Sequence, residues 1–441
     1  MNLDTLFVTA GVLSLITTAV ALIKARAIGW LVPFWFLIGW ITGEMAVWWL
    51  LTQMGFVLLC VLLGVSDGAL GWGVALFVAS WLGMLRVLVD GFDAGKVFET
   101  ALRRGLSDDF LQRIPVARRH RLSFQIDSGE WLKPFKFSRL GVRVHKDIAY
   151  GDGGKRHLLD VFTPISRGEK RPVLLQIHGG AWMLGHKAEQ GQPLLHHMAE
   201  KGWVGVSINY RLSPKHAFPA HIIDVKSAIA WIRAHIAEYG GDPDFIAVTG
   251  GSAGGHLTTL AALSANYAPW QPGFESVDTT VQAAMPLYAC FDFSNRFGIR
   301  SANKIDTPIS KWVMQVAPED DPEAWDRGSP VTWVHHAAPP FMVIQGTHDS
   351  MIWVEEARRF VAELSDVTQK PVVYAELPGA QHAFEFFHSP RTSHYLNAAA
   401  AYLEWTYADW RDTQELDADV AEDPASGDEF DPKVLDAQPD N

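Results

Sequence analysis

The segment from Phe245 to Leu263 constrains this chain more than any other. An apolar, β-branched run, Phe245-Ile-Ala-Val-Thr249, enters the pentapeptide Gly250-Gly-Ser-Ala-Gly254. The stretch His256-Leu-Thr-Thr-Leu-Ala-Ala-Leu263 then leaves it with helical character. Strand, sharp turn and helix in that order are the context that gives a G-x-S-x-G pattern structural meaning. The turn is strained and presses backbone against backbone, which glycine permits. A plain Gly/Ser/Ala turn is the alternative, so the serine needs partners elsewhere in the chain.

Across residues 141–410, short β-rich runs alternate with helical stretches, the pattern of a mostly parallel α/β sheet. The expected strands are Val142–Tyr150, Leu158–Phe162, Val173–His178, Val204–Asn209, Phe245–Thr249, Ala283–Tyr288, Phe341–Gln345 and Val372–Leu377. The expected helices include Ile222–Tyr239, Gly254–Ala265, Trp353–Leu364 and Ser393–Trp410.

Serine is a weak nucleophile at its free pKa and needs a base and a group that orients that base. Strand Phe341–Gln345 runs into Gly346-Thr-His-Asp-Ser350, and strand Val372–Leu377 runs into Pro378-Gly-Ala-Gln-His-Ala-Phe384. Asp349 and His382 therefore lie on loops past carboxyl ends of strands, where α/β sheets build their sites. They follow the serine by 349 − 252 = 97 and 382 − 252 = 130 residues, in the order nucleophile, acid, histidine. The expectation is Ser252 as nucleophile, His382 as base then acid, and Asp349 as its orienter. His348 is a rival base and Asp292 a rival acid. At the end of a third strand lies His178-Gly-Gly-Ala-Trp182. Backbone amides aimed at a developing oxyanion stabilise it, and the expected donors are Gly179, Gly180 and Ala253. A simple Gly-Gly turn is the alternative there.

Residues 1–90 hold only seven charged side chains: Asp4, Lys24, Arg26, Glu44, Asp67, Arg86 and Asp90. Leu6–Ile23, Ala27–Leu51 and Met54–Leu85 are apolar enough for membrane spans, the latter two interrupted by Glu44 and Asp67. Three or four spans are expected, with both carboxylates near an interface or inside the bundle. Seven tryptophans in this region suit an aromatic belt. A signal peptide is disfavoured, because the basic residues follow the first apolar run. Lys24 and Arg26, with the basic residues from Arg86 to Arg121, place the globular part on the cytoplasmic side. Residues 91–140 mix basic and aromatic side chains and read as a juxtamembrane linker or a cap over the site.

The formal charge of −12 is concentrated at the end, where Asp412–Asn441 holds eleven acids and one lysine. Residues 411–441 read as an acidic disordered tail. The rest shows no basic stripe, which argues against a nucleic-acid partner. Two isolated cysteines, Cys60 and Cys290, make no disulfide framework.

The residues of 141–410 resemble the hormone-sensitive-lipase-like (family IV type) serine esterases of the α/β-hydrolase superfamily. The matching motifs are His178-Gly-Gly-Ala-Trp182, Asn209-Tyr-Arg-Leu-Ser-Pro214 running into Ala217-Phe-Pro-Ala220, the turn at Ser252, Asp349 and His382. The chain departs from the family pattern at Ala181, Gly251 and Lys215, where Gly, Asp and Glu are usual. The resemblance implies an α/β-hydrolase fold with a mostly parallel eight-stranded sheet, acting without metal or cofactor. It implies a serine carboxylesterase or lipase. With the membrane module in front, a lipophilic ester and membrane lipid are the expected partners, and protein partners are not legible. The alternatives are a prenylcysteine methylesterase, amidase or acyltransferase on the same residues, or a non-enzymatic receptor or scaffold. Aromatics of residues 291–330, such as Phe293 and Trp325, either line an acyl pocket or pack a cap.

Overall fold

A computed structural model describes residues 2–24, 31–166, 168–300 and 308–422, with side chains to residue 415. At its centre is an eight-stranded sheet in the order β1-β2-β4-β3-β5-β6-β7-β8. The strands are β1 (Val142–Ala149), β2 (Leu158–Pro164), β3 (Arg171–Ile177), β4 (Val204–Ile208), β5 (Gly241–Gly251), β6 (Ala283–Leu287), β7 (Phe341–Gly346) and β8 (Val372–Leu377). β2 is antiparallel to both β1 and β4, and the other neighbours are parallel. Every expected strand is present. The continuous apolar runs of β3–β7 fit strands covered on both faces, and β3–β6 are buried almost throughout. β5 begins earlier than expected because Gly241 already pairs with Arg171.

Two hydrophobic cores fill the faces of this sheet. The first includes helices Ala220–His235, Ala253–Leu263 and Val354–Val367. The second is covered by the carboxyl-terminal helix Pro390–Glu422. That helix passes residue 411, where the sequence suggests a disordered tail. It is carried on by the deeply packed turns before it and by the i,i+4 pair Arg411–Glu415 at 2.9 Å. Residues 423–441 lie outside the described residues.

The amino-terminal region forms α1 (Leu3–Leu22), α2 (Leu31–Glu44), α3 (Ala46–Leu62) and α4 (Asp67–Gly105). α1 and α4 are long and apolar enough to cross a membrane, while α2 and α3 pass that test only as a pair bent by 82°. The expected spans Ala27–Leu51 and Met54–Leu85 are therefore redrawn, and both carboxylates explain why. Glu44 ends α2 and turns away from the bundle to a buried pair with Arg391, with Ser389 Oγ donating to it at 2.8 Å. Asp67 starts α4, where the helix dipole favours an acid.

α1, α3 and α4 run side by side. At one end, Phe7, Cys60, Val65 and Phe77 cluster, and Ser66 N–H and Oγ donate to Asp4. At the other end, Ala21, Ala46, Met84 and Val87 cluster. That second end abuts the globular part: Ala21 O lies 3.4 Å from His348 Nδ1, and Lys24 lies 3.8 Å from Glu355. α4 continues through residues 91–105 along the carboxyl-terminal helix and β8, where part of a linker was expected. Parts of residues 106–140 also lie against that helix. Arg118 pairs with Glu404, Trp131 Nε1 donates to Ser393 Oγ at 3.1 Å, and Asn397 Nδ2 donates to Gln125 O at 3.1 Å.

Two outcomes follow from this packing. Removing one member of a buried ion pair typically costs about 3–5 kcal/mol. Glu44→Ala should therefore lower the thermal midpoint of the full chain by several degrees, measured in detergent. Burial also pulls His178 and His221 down to about 4 and His256 to about 3. The unfolded chain takes up these protons near pH 6.5, while the folded chain resists until lower pH. Stability should be intact above about pH 6.5 and fall as pH drops toward 4. Melting temperatures at pH 7.5 and 4.5 check this, and equal values would argue against neutral buried imidazoles.

Candidate active site

The turn after β5 holds Ser252 at φ 58°, ψ −122°, a strained conformation for a residue with a side chain. Tight backbone contacts enforce it. A Cβ on Gly254 would lie 2.1 Å from Ile177 O, and one on Gly250 would lie 2.4 Å from the same atom. Ser252 N–H donates to Leu287 O at 3.0 Å, tying the turn to the end of β6. Helix Ala253–Leu263 begins immediately afterwards, so the Ala253 N–H belongs to the unpaired first turn of a helix.

A cavity of about 320 Å³ opens at this point. Ser252 and His382 both line it. Asp349 lies behind the imidazole, with Oδ2 2.7 Å from His382 Nδ1. Asp349 is itself held: Oδ1 accepts from the Met351 and Ile352 amides at 2.9 and 2.8 Å, and Oδ2 accepts from Gln345 Nε2 at 3.0 Å. Its oxygens thus have firm donors, and His382 Nδ1–H is the donor that fixes the ring. This leaves Nε2 as the nitrogen able to accept a proton.

The two rival residues lie elsewhere. His348 faces the end of α1, and Asp292 accepts from Phe297 N–H at 2.8 Å and Ser294 Oγ at 3.2 Å. The aromatics of 291–330 do not line the cavity. Phe293 stacks on His256 with centroids 4.3 Å apart, and Phe291 stacks on Phe360 at 4.1 Å. Phe291, Phe293 and Trp325 form core beneath the site. His256 is neutral there, with Nδ1 accepting from Trp182 Nε1 and Nε2–H donating to Gly328 O, a tautomer assigned from these partners.

The Gly179–Gly180–Ala181 turn forms another wall of the cavity. His178 Nδ1–H donates to Gly179 O at 2.7 Å, and Tyr210 OH donates to His178 O at 2.9 Å. The Asn209-Tyr-Arg motif is thus a prop for this turn: Lys187 N–H donates to Asn209 Oδ1, and Arg211 is held by Asp224. The expected donor set needs one correction. The Gly179 N–H already donates to Gln190 Oε1 at 2.5 Å, so it is not available to a substrate. The Gly180 and Ala181 amides have no hydrogen-bond acceptor among the described residues. Ala181 takes φ 52°, where the family's usual glycine would sit without strain.

Gln190 belongs to a network that sequence reasoning missed. Its Nε2 donates to Tyr288 OH at 2.7 Å and Glu385 Oε1 at 3.0 Å, and Tyr288 OH donates to Glu385. Tyr288 and Glu385 are buried, and burial pushes the Glu385 carboxyl above the usual range. The Tyr288 ring lies 4.5 Å from His382. This network accounts for Gly251. A Cβ there would lie 2.3 Å from Tyr288 OH and 2.4 Å from Gln190 Nε2. The space an aspartate would enter is filled by other polar groups. Only the departure at Gly251 itself marked this in the sequence.

Also missed was α2. Phe36 lines the cavity, its ring 5.8 Å from that of His382 and edge-on to it. Trp40 Nε1 donates to Ala383 O at 2.7 Å, and its ring stacks on Phe387 at 4.8 Å.

The sheet order, the strained serine turn at the end of β5 and the cavity above it define an α/β-hydrolase. Residues 159–364 match the BD-FAE family. LipM of Mycobacterium tuberculosis, named a probable carboxylic ester hydrolase, is 41% identical over 85% of this chain and 86% of its own length. Esterase LipQ of the same organism is 46% identical over 59% of this chain and 62% of its own. A truncated carbohydrate esterase from gut microbiota shares the fold at TM-score 0.52 and 22% identity, covering 60% of this chain and 96% of its own. The chain belongs to the hormone-sensitive-lipase-like esterases of this superfamily and is an ester hydrolase by class.

The crowding at position 251 has a measurable consequence. Gly251→Ala should lower the catalytic rate by about tenfold or more, since misplacing reacting groups by under an ångström costs that much. Adding Tyr288→Phe removes the nearest clashing atom and should recover part of the loss. No recovery in the double variant would count against the clash as the cause.

Proposed function

We propose that this protein is a membrane-anchored serine carboxylesterase that hydrolyses lipophilic esters through Ser252, His382 and Asp349. The observation that carries the reading is one cavity shared by a strained, presented serine and an imidazole fixed by a buried carboxylate. Ser252 Oγ attacks the ester carbonyl while His382 Nε2 takes its proton. Asp349 holds the ring and stabilises the imidazolium that forms. The carbonyl oxygen becomes an oxyanion facing the Gly180, Ala181 and Ala253 amides, with Gly179 serving as a strut through Gln190. His382 returns the proton to the departing alkoxide, leaving an acyl-serine. Water then attacks with His382 as base again, releasing the acid and restoring the serine.

Residues 1–105 supply the anchor. α1 and α4, each long and apolar enough alone, cross the bilayer in this reading, and α3 crosses beside them at the short end of the spanning range, about 25 Å at 1.5 Å per residue. The N-terminus then lies on one side and the hydrolase on the other. Lys24 sits on the hydrolase side beside Glu355, and the Lys/Arg bias supports a cytoplasmic hydrolase. Exposed leucines on the bundle, such as Leu13, Leu58 and Leu82, suit contact with lipid.

The decisive experiment is hydrolysis of p-nitrophenyl esters by the full chain in detergent. Ser252→Ala should reduce turnover by at least about 10³-fold, and Asp349→Asn by a comparable factor through loss of the imidazole's orientation. Turnover surviving in Ser252→Ala would reject this assignment.

A further inference from the structure

The membrane module does more than hold the enzyme at a surface. α2 leaves the bundle at an 82° bend and lies across its hydrolase-facing end. It is clamped there at two points, by the buried Glu44–Arg391 pair and by the Trp40–Ala383 hydrogen bond. Ala383 directly follows His382, so the clamp grips the loop that carries the imidazole. Between the clamps and the site, Phe36 forms part of the cavity wall.

The two sides of α2 differ in surroundings. Gly39 and Trp40 pack on the hydrolase, and Gly39 is buried close to Gln381. Leu31, Phe34 and Leu37 are exposed. An apolar helix lying across one end of an apolar bundle, with Leu31 and Leu37 turned to the outside, fits the interface of a bilayer. The cavity itself is small, near the lower end of the roughly 300–1,000 Å³ that ligand pockets span. A long chain extends beyond a cavity of this size, along an apolar wall.

We infer that α2 is the roof of the active site, and that the hydrocarbon chain of a bilayer-dissolved ester reaches Ser252 laterally, lying against Phe36. The substrate class is thus an ester with a long apolar chain that stays partly in the membrane during turnover. This inference rests on the proposed serine esterase activity and goes beyond it in naming the route and the chain-binding residues.

The test uses the full chain in phosphatidylcholine vesicles and a p-nitrophenyl alkylphosphonate carrying a diazirine near the middle of a hexadecyl chain. Ser252 Oγ displaces p-nitrophenolate at phosphorus, and illumination then marks whatever touches the chain. Peptide mapping should find the label within residues 31–44. Label confined to the opposite rim, around Leu184 and Met351, elsewhere on the protein, or only on lipid, overturns the inference. Failure of the phosphonate to attach to Ser252 would remove the esterase reading itself, a separate result. A second readout is the ratio of kcat/KM for an oleate ester over an acetate ester of the same alcohol. Phe36→Ala should lower that ratio by about tenfold or more, and Phe36→Leu, which keeps an apolar wall, should stay within about threefold of the parent. An equal fall on both esters, or a ratio shifted toward oleate, overturns the role of Phe36.

Discussion

The site depends on two backbone turns pressed together with no side chain between them. Gly250 and Gly254 of the serine turn sit against the end of β3, and a Cβ on Gly179 would lie 2.7 Å from Gly251 O. Because β3 and β5 are adjacent and parallel, their carboxyl ends deliver these turns to the same edge of the sheet. The strain at Ser252 persists because this packing leaves the chain no other path. The serine turn and the Gly179–Ala181 turn are thereby placed by the sheet's hydrogen-bond register.

Around that contact, buried polar groups lock the loops to each other. Gln190 reads the Gly179 amide on one side and Tyr288 with Glu385 on the other. Glu385 lies three residues beyond His382, so one network joins the Gly179–Ala181 turn, the end of β6 and the histidine loop. Its groups are buried and mutually satisfied, the condition under which a polar network adds rigidity. The family's usual aspartate at position 251 and this Tyr-Gln-Glu arrangement compete for the same space.

The amino-terminal helices are built into the hydrolase at several points. Ala21 near the end of α1 and Lys24 just past it meet the hydrolase, α4 follows it to Gly105, and α2 contributes Phe36 to the cavity. Glu44 shows the physical logic. An acid in an apolar run is costly unless paired, and Arg391, equally buried, is its partner across the junction. The bend after Glu44 therefore serves both charge neutralisation and the placement of α2 over the site.

Local signals made much of this legible. The eight strands, the serine turn and the loops of Asp349 and His382 follow from periodicity, glycine placement and chain order. Each of these is written within a few consecutive residues. Asp67 and Glu44 stand out in long apolar runs, but no local signal shows that α2 and α3 meet at an 82° bend. The length of α4, the occupation of the Gly179 amide and the core position of Phe293 depended on contacts that leave no local trace. So did the roof formed by α2, since Glu44 and Arg391 are 347 residues apart. The sequence by itself determined which residues could do chemistry and in what kind of sheet, because strand and turn propensities act over short range. The tertiary structure alone decided what surrounds them, because burial and charge pairing are settled only when distant segments meet.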